Sequence, residues 1–365
     1  MPATPAGPTT VAGPSPGAPP EAVDDVHLGL SPLGRAADAA RARIAVLPVP
    51  MHWPPAGRSF PAALDPVARL LSFFMAHVRL VPELWRRRDH DLVLVREFLT
   101  VPLLPVWLLI WPLRRRVAFL LNHNLQEAHR RPLERLVLRL LAGSGCRFGC
   151  LETTEGCRAI GLSTTPDRLL VLPHPLELTV PRRARRDRRP VVGVVGEMRG
   201  EKGVEPLLEV LAAERAAGRL QADLLLGCPD PAAAGRWRSA GFEVIGTARG
   251  SDYLAALDRC DVVVINYRRE RYCWRASGVA ADALSRRAAV VCPDLPVMRH
   301  QLSWPAPVGA LFTSLDQVAP AIGRALDLRG ELDAALETHA AARGVSALAA
   351  RLDAFARGGL ERVPT

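Results

Sequence analysis

Short apolar runs and longer amphipathic stretches alternate along this chain. In the first half the runs are RIAVLPVP (43–50), DLVLVREF (91–98), VAFLLNHN (117–124), CRFGCLETT (146–154) and RLLVLPHP (168–175). Each reads as a strand buried on both faces. Helical patterning fills the gaps, chiefly over 61–88 and in QEAHRRPLERLVLRLLAG (126–143). Strand–helix alternation of this kind predicts a parallel sheet. The second half repeats it more cleanly. Strands are predicted at 191–195, 223–227, 243–246, 261–265, 288–292 and 308–312. Helices are predicted between them at 204–217, 231–240, 251–259, 276–286 and 296–302. Three more helical stretches, 316–328, 330–342 and 345–357, follow. The expected fold class is α/β, with two Rossmann-like doubly wound domains facing a cleft. The expected divisions are a disordered Pro/Ala/Gly-rich tail (1–42), a first domain (43–175), an arginine-rich linker (176–190), a second domain (191–330) and C-terminal helices (331–365).

The stretch VVGVVGEMRGEKG (191–203) carries the first chemistry. A buried strand ends at Gly196, a polar turn follows, and Lys202-Gly203 opens a helix. Free backbone N–H groups and the positive end of the helix dipole then point the same way, which suits an anion. Lys202 adds a compact mobile charge suited to phosphate. Composition sharpens the point: the chain holds 47 basic residues, and Lys202 is the only lysine among them. Lysine and arginine are not interchangeable where an ammonium must meet an anion. The competing reading is a solvated surface lysine.

A second group lies beyond the run DVVVI. Ser277 and Gly278 stand where a helix begins, with Arg275 just before and Asp282 one and a half turns on. Serine there caps the helix or donates to a phosphate, glycine admits a ligand to the backbone, and Asp282 is placed to accept bonds from ribose hydroxyls. A cap, a packing glycine and a surface acid would account for the same residues structurally.

These motifs resemble those of the GT-B fold glycosyltransferases, in particular the large retaining group called family 4. Gly196, Lys202 and Gly203 match the spacing of that family's phosphate loop. Glu197 stands where the family arginine usually follows the glycine, and Arg199 lies two positions further on. ASGVAADAL resembles a variant of the Glu-x7-Glu signature, with Asp282 at the second glutamate and Trp274 at the first. PHP (173–175) resembles the turn into the interdomain linker, and GALFTSLDQVAPAIGRAL (309–326) the closing loop and helix. His123, at the end of LLNHN, resembles a position facing the reacting sugars; a strand-end histidine is otherwise structural. The resemblance implies transfer of a sugar from a nucleoside-diphosphate sugar, with retention, to a glycan or lipid-linked acceptor in polysaccharide or envelope glycan assembly. It implies catalytic roles for His123, Lys202 and Arg199, and donor binding by Gly196, Gly203, Arg275, Ser277, Gly278 and Asp282. It implies neither a metal nor a cofactor, the nucleotide sugar being a substrate.

A net charge of +10 admits nucleic acid, anionic membrane or phosphorylated small molecules as partners. No nucleic-acid-binding motif accompanies it. LTVPLLPVWLLIWPLRRR (99–116) is the most apolar run, too short to span a membrane and broken by Pro102, Pro105 and Pro112. It reads either as a buried helix and turn or as an interfacial segment, with Trp107 and Trp111 at the headgroups and Arg114–Arg116 on anionic lipid. Arginines at 86–88 and 182–189 add to the second reading. Seven scattered cysteines read as reduced thiols, and the spacing of Cys146, Cys150 and Cys157 is not that of a zinc site. Without a signal-peptide pattern, the expected location is the cytoplasm, peripheral on the inner face of the membrane. Two other functions fit parts of the pattern. A sugar-nucleotide epimerase would need a pair of acid/base carboxylates, and none stands out. A degenerate subunit that binds nucleotide sugar or a partner enzyme fits Trp274 in place of the glutamate.

Overall fold

The computed structural model describes residues 31–49, 65–162, 165–181, 188–232 and 234–358. The chain enters through helix α1 (Ser31–Ala39) and strand β1 (Ile44–Pro48). Helices α2 (Asp65–Val78) and α3 (Leu80–Arg86) lead to β2 (Leu92–Arg96), then α4 (Thr100–Leu109) to β3 (Val117–Leu121). Helices α5 (His123–Arg130) and α6 (Pro132–Gly143) precede β4 (Arg147–Leu151), and α7 (Glu155–Ala159) precedes β5 (Leu169–Leu172). All five strands are parallel and lie side by side in chain order.

The helical stretch expected over 61–88 holds two helices in its described part. Pro82 has no N–H to give to the Val78 carbonyl and its ring crowds that oxygen, so α2 stops at Val78. Chain order has a second consequence. Right-handed crossovers between successive neighbours all fall on one face of the sheet. That face is packed by α2 to α7, against Val93, Val95, Phe119 and Leu121. The opposite face, carrying Leu92, Leu94, Ala118 and Leu120, is covered by α1 and by the last helix of the chain. Residues 31–39, read as part of a disordered tail, therefore form a helix, because Leu33, Ala36 and Ala37 bury against this second face.

The second domain holds β6 (Val191–Val195), α8 (Val204–Ala216), β7 (Asp223–Cys228), α9 (Gly235–Ser239), β8 (Phe242–Gly246), α10 (Gly250–Arg259) and β9 (Val262–Val264). After α11 (Arg269–Tyr272) and α12 (Gly278–Ser285) come β10 (Ala289–Pro293), α13 (Pro296–Ser303), β11 (Gly309–Phe312), α14 (Val318–Asp327), α15 (Arg329–Arg343) and α16 (Val345–Ala356). The parallel sheet runs β11-β10-β9-β6-β7-β8, so its order reverses between β6 and β9. Helix α16 crosses back to the first domain. Its Asp353 carboxylate accepts from the Arg41 and Ala42 N–H groups at 3.0 and 2.7 Å, fixing the entry to β1.

A buried ionic cluster joins the domains. Glu152, just past β4, is held at φ +70°. Its carboxylate accepts from Arg343 Nη1 and His300 Nδ1, both at 2.6 Å, and from the His174 N–H at 2.7 Å. Burial alone would raise this carboxyl, but Arg343 and His300 hold it down at about 2. Arg343 also donates to the Trp304 carbonyl at 2.6 Å. Two residues of the first domain, Glu152 and His174, and two of the second, His300 and Arg343, thus meet in a single charge-assisted network.

Candidate functional site

In an open α/β sheet, ligands bind beyond the strand ends where the strand order reverses. Here that place lies between the ends of β6 and β9, and the turn 196–203 occupies it. Gly196 has φ +128° and bonds through its N–H to the Gly227 carbonyl at 2.9 Å. Gly203 has φ +56°, ends a 3-10 turn over Gly200–Lys202 and starts α8. A Cβ there would stand 2.8 Å from the Asn266 carbonyl oxygen. Only glycine fits, because the Asn266 amide donates to the Gly203 carbonyl at 2.7 Å and pulls the two loops together.

Lys202 lines a narrow cavity of about 20 Å³ with Gly196, Glu197, Val204, Asn266 and Val279. A wider one of about 260 Å³ adjoins it through Asn266 and Tyr267 and extends to Arg269, Asp294 and Thr313. Lys202 Nζ stands 3.9 Å from the Glu197 carboxylate, and Arg199 pairs with the same carboxylate at 2.6 Å. Lys202 faces the cavity, whereas Arg199 is exposed and absent from its wall. Of the two cations expected at the phosphate loop, one therefore sits at the strand ends and the other on the rim.

Ser277 caps α12, its Oγ accepting from the Ala280 N–H at 3.1 Å. The same Oγ bonds the Tyr267 hydroxyl at 2.9 Å, and its backbone is clamped by both ends of the Gln301 amide. Its side chain is committed to the protein, so of its two expected uses the cap is the one present. Gly278, next along, would send a Cβ into open space. Asp282 is buried one turn past Val279 and accepts from the Tyr253 hydroxyl at 3.0 Å. Burial and this carboxylate both push the Tyr253 phenol up, so it stays a donor.

The two domains meet across this site. His123 opens α5, half-buried, and bonds the Phe98 backbone; burial first, then nearby Arg275, pushes its imidazole down, so it is neutral at pH 7. Arg275 lies 4.6 Å over the Tyr272 ring, which stacks on Tyr267 at 4.0 Å. His123 from one domain and Arg275 from the other are thus neighbours. Trp274 goes elsewhere. Its ring stacks on His129 at 4.9 Å and 24°, and its backbone N–H donates to Gln126 Oε1 at 3.0 Å. Gln126 returns a bond to the Glu270 carbonyl at 3.0 Å. The residue at the first-glutamate position is therefore a strut to α5.

Sequence reasoning missed Asn266, Tyr267 and Gln126. Asn266 carried a usable signal, a polar residue immediately after a fully apolar strand. Tyr267 and Gln126 carried none, since their partners lie across the fold. Of the two readings of 99–116, Trp107 follows the buried one and not the headgroup placement: it is 1% exposed, packs with Leu103 and Val106 on the sheet side of α4, and donates to Ser144 Oγ at 2.7 Å. Trp111 is 39% exposed. Among the described residues, no three His, Cys, Asp or Glu side chains group as metal ligands, and Cys146, Cys150 and Cys157 are buried. The loop 51–60 and linker arginines 182–187 lie outside the described residues.

No protein-family model matches the chain, and no curated protein matches it. Solved structures do. The chain is similar to alpha,alpha-trehalose 6-phosphate synthase from Burkholderia multivorans, at 15% identity over 82% of this chain and 77% of that one, with a TM-score of 0.55. It is similar to the E. coli trehalose-6-phosphate structure bound with UDP-2-fluoro glucose, at 14% identity over 86% and 82%, TM-score 0.57. It is also similar to Anabaena Alr3699/HepE in complex with UDP and glucose, at 13% identity over 81% and 83%, TM-score 0.54. The fold is the two-domain GT-B fold.

Proposed function

We propose that this protein is a glycosyltransferase that takes its sugar from a nucleoside-diphosphate sugar. One observation carries the reading: the chain's only lysine stands at the reversal of the second sheet, in a turn that only glycine at 203 permits. The donor diphosphate lies at the start of α8, against its free N–H groups and Lys202, with Arg275 across from it. These groups stabilise the charge that grows on the departing nucleoside diphosphate. Gly278 leaves room at the backbone, and Asp282 serves the ribose through the site's second turn. Neutral His123, from the opposite domain, faces the sugar being transferred. The acceptor, a glycan or lipid-linked sugar, binds on the first domain, on the cytoplasmic side of the membrane. By resemblance the reaction retains configuration and needs no metal, in polysaccharide or envelope glycan assembly. The nucleotides bound in two similar structures support a nucleoside-diphosphate donor.

Release of nucleoside diphosphate from a panel of nucleotide sugars, with membrane-extracted acceptors present, tests this. One donor should turn over, and Lys202→Ala should lower kcat about 100-fold, the scale for removing one preorganised donor. Turnover unchanged in Lys202→Ala would overturn the placement of the site.

A second reading has its own support. Trp274 braces α5 where the family contacts the donor sugar, and Glu197 sets a carboxylate beside Lys202. Both suit a subunit that binds nucleotide sugar without turning it over. Saturable binding with no release of product would favour it.

A further inference from the structure

Among the described residues, every well-exposed large hydrophobic side chain lies between Leu71 and Leu140; the second domain has none. They fall on adjacent helices, because α4 packs between α2 and α6. On α2 they are Leu71, Phe74 and Met75, spaced i, i+3, i+4. On α6 they are Leu133, Leu136 and Leu140, spaced i, i+3, i+7, while Val137, Leu138 and Leu141 face the sheet. Helix α4 turns Leu103, Val106 and Trp107 inward and Val101, Leu108 and Leu109 outward. It has no charged residue on any side, and Leu108 is 68% exposed. A helix apolar all round belongs inside something. Here the inner half is covered and the outer half is not. With ten residues it is too short to cross a bilayer, and no described helix is long and apolar enough to do so.

The rim is basic. Residues 65–143 hold thirteen arginines against seven carboxylates. Two arginine clusters meet at one end of the face, where Arg116 donates to the Arg88 carbonyl. Arg114 lies 4.8 Å over the Trp111 ring. Of the nearby acids, Glu83 is paired with Arg86 and Arg87, and Glu127 with Arg130 and Arg131. No described carboxylate pairs with Arg88, Arg114, Arg115 or Arg116. Exposed leucine and tryptophan bordered by arginine is the composition that lies in a headgroup layer, apolar side down. The same arginines disfavour a symmetric pair of this chain on this face, which would bring like charges together.

We infer that the outer face of α2, α4 and α6, with Trp111, docks the protein on an anionic lipid bilayer. The placement serves the cleft. Thr100, at the first turn of α4, accepts from Asn124 at 3.3 Å, next to His123, so the face begins at the rim of the site and runs away from it. A lipid-anchored acceptor would reach the cleft from the surface on which the protein sits.

Flotation of the full chain with vesicles tests this, and needs neither donor nor turnover, so an inactive protein still reports on the face. The chain should float with phosphatidylcholine vesicles containing phosphatidylglycerol and much less with phosphatidylcholine alone. Leu108→Gln with Leu109→Gln and Leu136→Gln should abolish flotation without lowering Tm, since all three side chains are exposed. Arg114→Gln with Arg115→Gln should weaken it about tenfold and flatten its salt dependence. No flotation at low salt, or flotation indifferent to the leucine changes, would overturn the inference. So would a dimer in light scattering that the leucine changes dissociate, which would make a second copy the occupant.

Discussion

The two domains solve the same problem differently. The second domain reverses its strand order, covers both sheet faces with its own helices and leaves a crevice at the reversal. Its large hydrophobic side chains are covered, and two of its left-handed glycines, Gly196 and Gly203, frame the turn at that crevice. The first domain keeps its strands in chain order, so one face takes all its crossovers and the other borrows α16 from the far end of the chain. It has no crevice of its own at a reversal, and its outer helices remain apolar. One domain is built around a polar site and the other around a surface. Binding chemistry is therefore expected to be sensitive in the second domain and anchoring in the first, with Glu152 and Arg343 deciding how well the two hold together.

The largest effect is predicted at that junction. Arg343→Leu leaves the buried Glu152 carboxylate without its main partner and should cost about 3–5 kcal/mol, read by urea unfolding. Acid probes the same group. Its folded pKa of about 2 lies below the ordinary 4.5, so its contribution is complete above pH 4.5 and is lost as pH falls toward 2. The loss should be on the order of 3 kcal/mol. Arg343→Leu should remove most of this acid dependence; a variant that keeps it would show that another group carries it.

Next is the second domain's turn. Gly203→Ala forces a side chain into the left-handed region and against the Asn266 carbonyl, at about 2 kcal/mol. Ser277→Ala removes the α12 cap at about 1 kcal/mol. The smallest effect is expected on the first domain's surface, where Leu140→Gln should stay within about 0.5 kcal/mol in the same unfolding experiment. A large loss there would mean the face is covered in the folded protein, and the contrast between the domains would fail.

The same contrast explains what the sequence made legible. In the second domain every strand but β11 is a short apolar run that ends at or close to a glycine, asparagine or proline, so those strands and the Gly196–Gly203 turn could be read directly. Lys202 stood out by its place at the mouth of a strand–turn–helix, and its rarity sharpened the signal. The first domain's sheet order could not be read, because chain order and reversed order use the same alternation of strands and helices. Nor could α1, since Leu33, Ala36 and Ala37 form a stripe only once α16 provides something to pack on. Trp274 was legible as a missing glutamate, but its stack on His129 depends on a partner 145 positions away. In 99–116 the pattern showed apolarity all round; which half faced the sheet, and that Trp107 lay in it, required the fold.

The measurement closest to the central claim is the thermal shift of wild type and Lys202→Ala with a panel of nucleoside diphosphates and their sugars. Ligand that prefers the folded state raises Tm according to its concentration over its Kd. The account predicts a shift with one base, lost in Lys202→Ala while the Tm without ligand is unchanged. An equal shift in both proteins, or none with any nucleotide far above ordinary affinities, would contradict it.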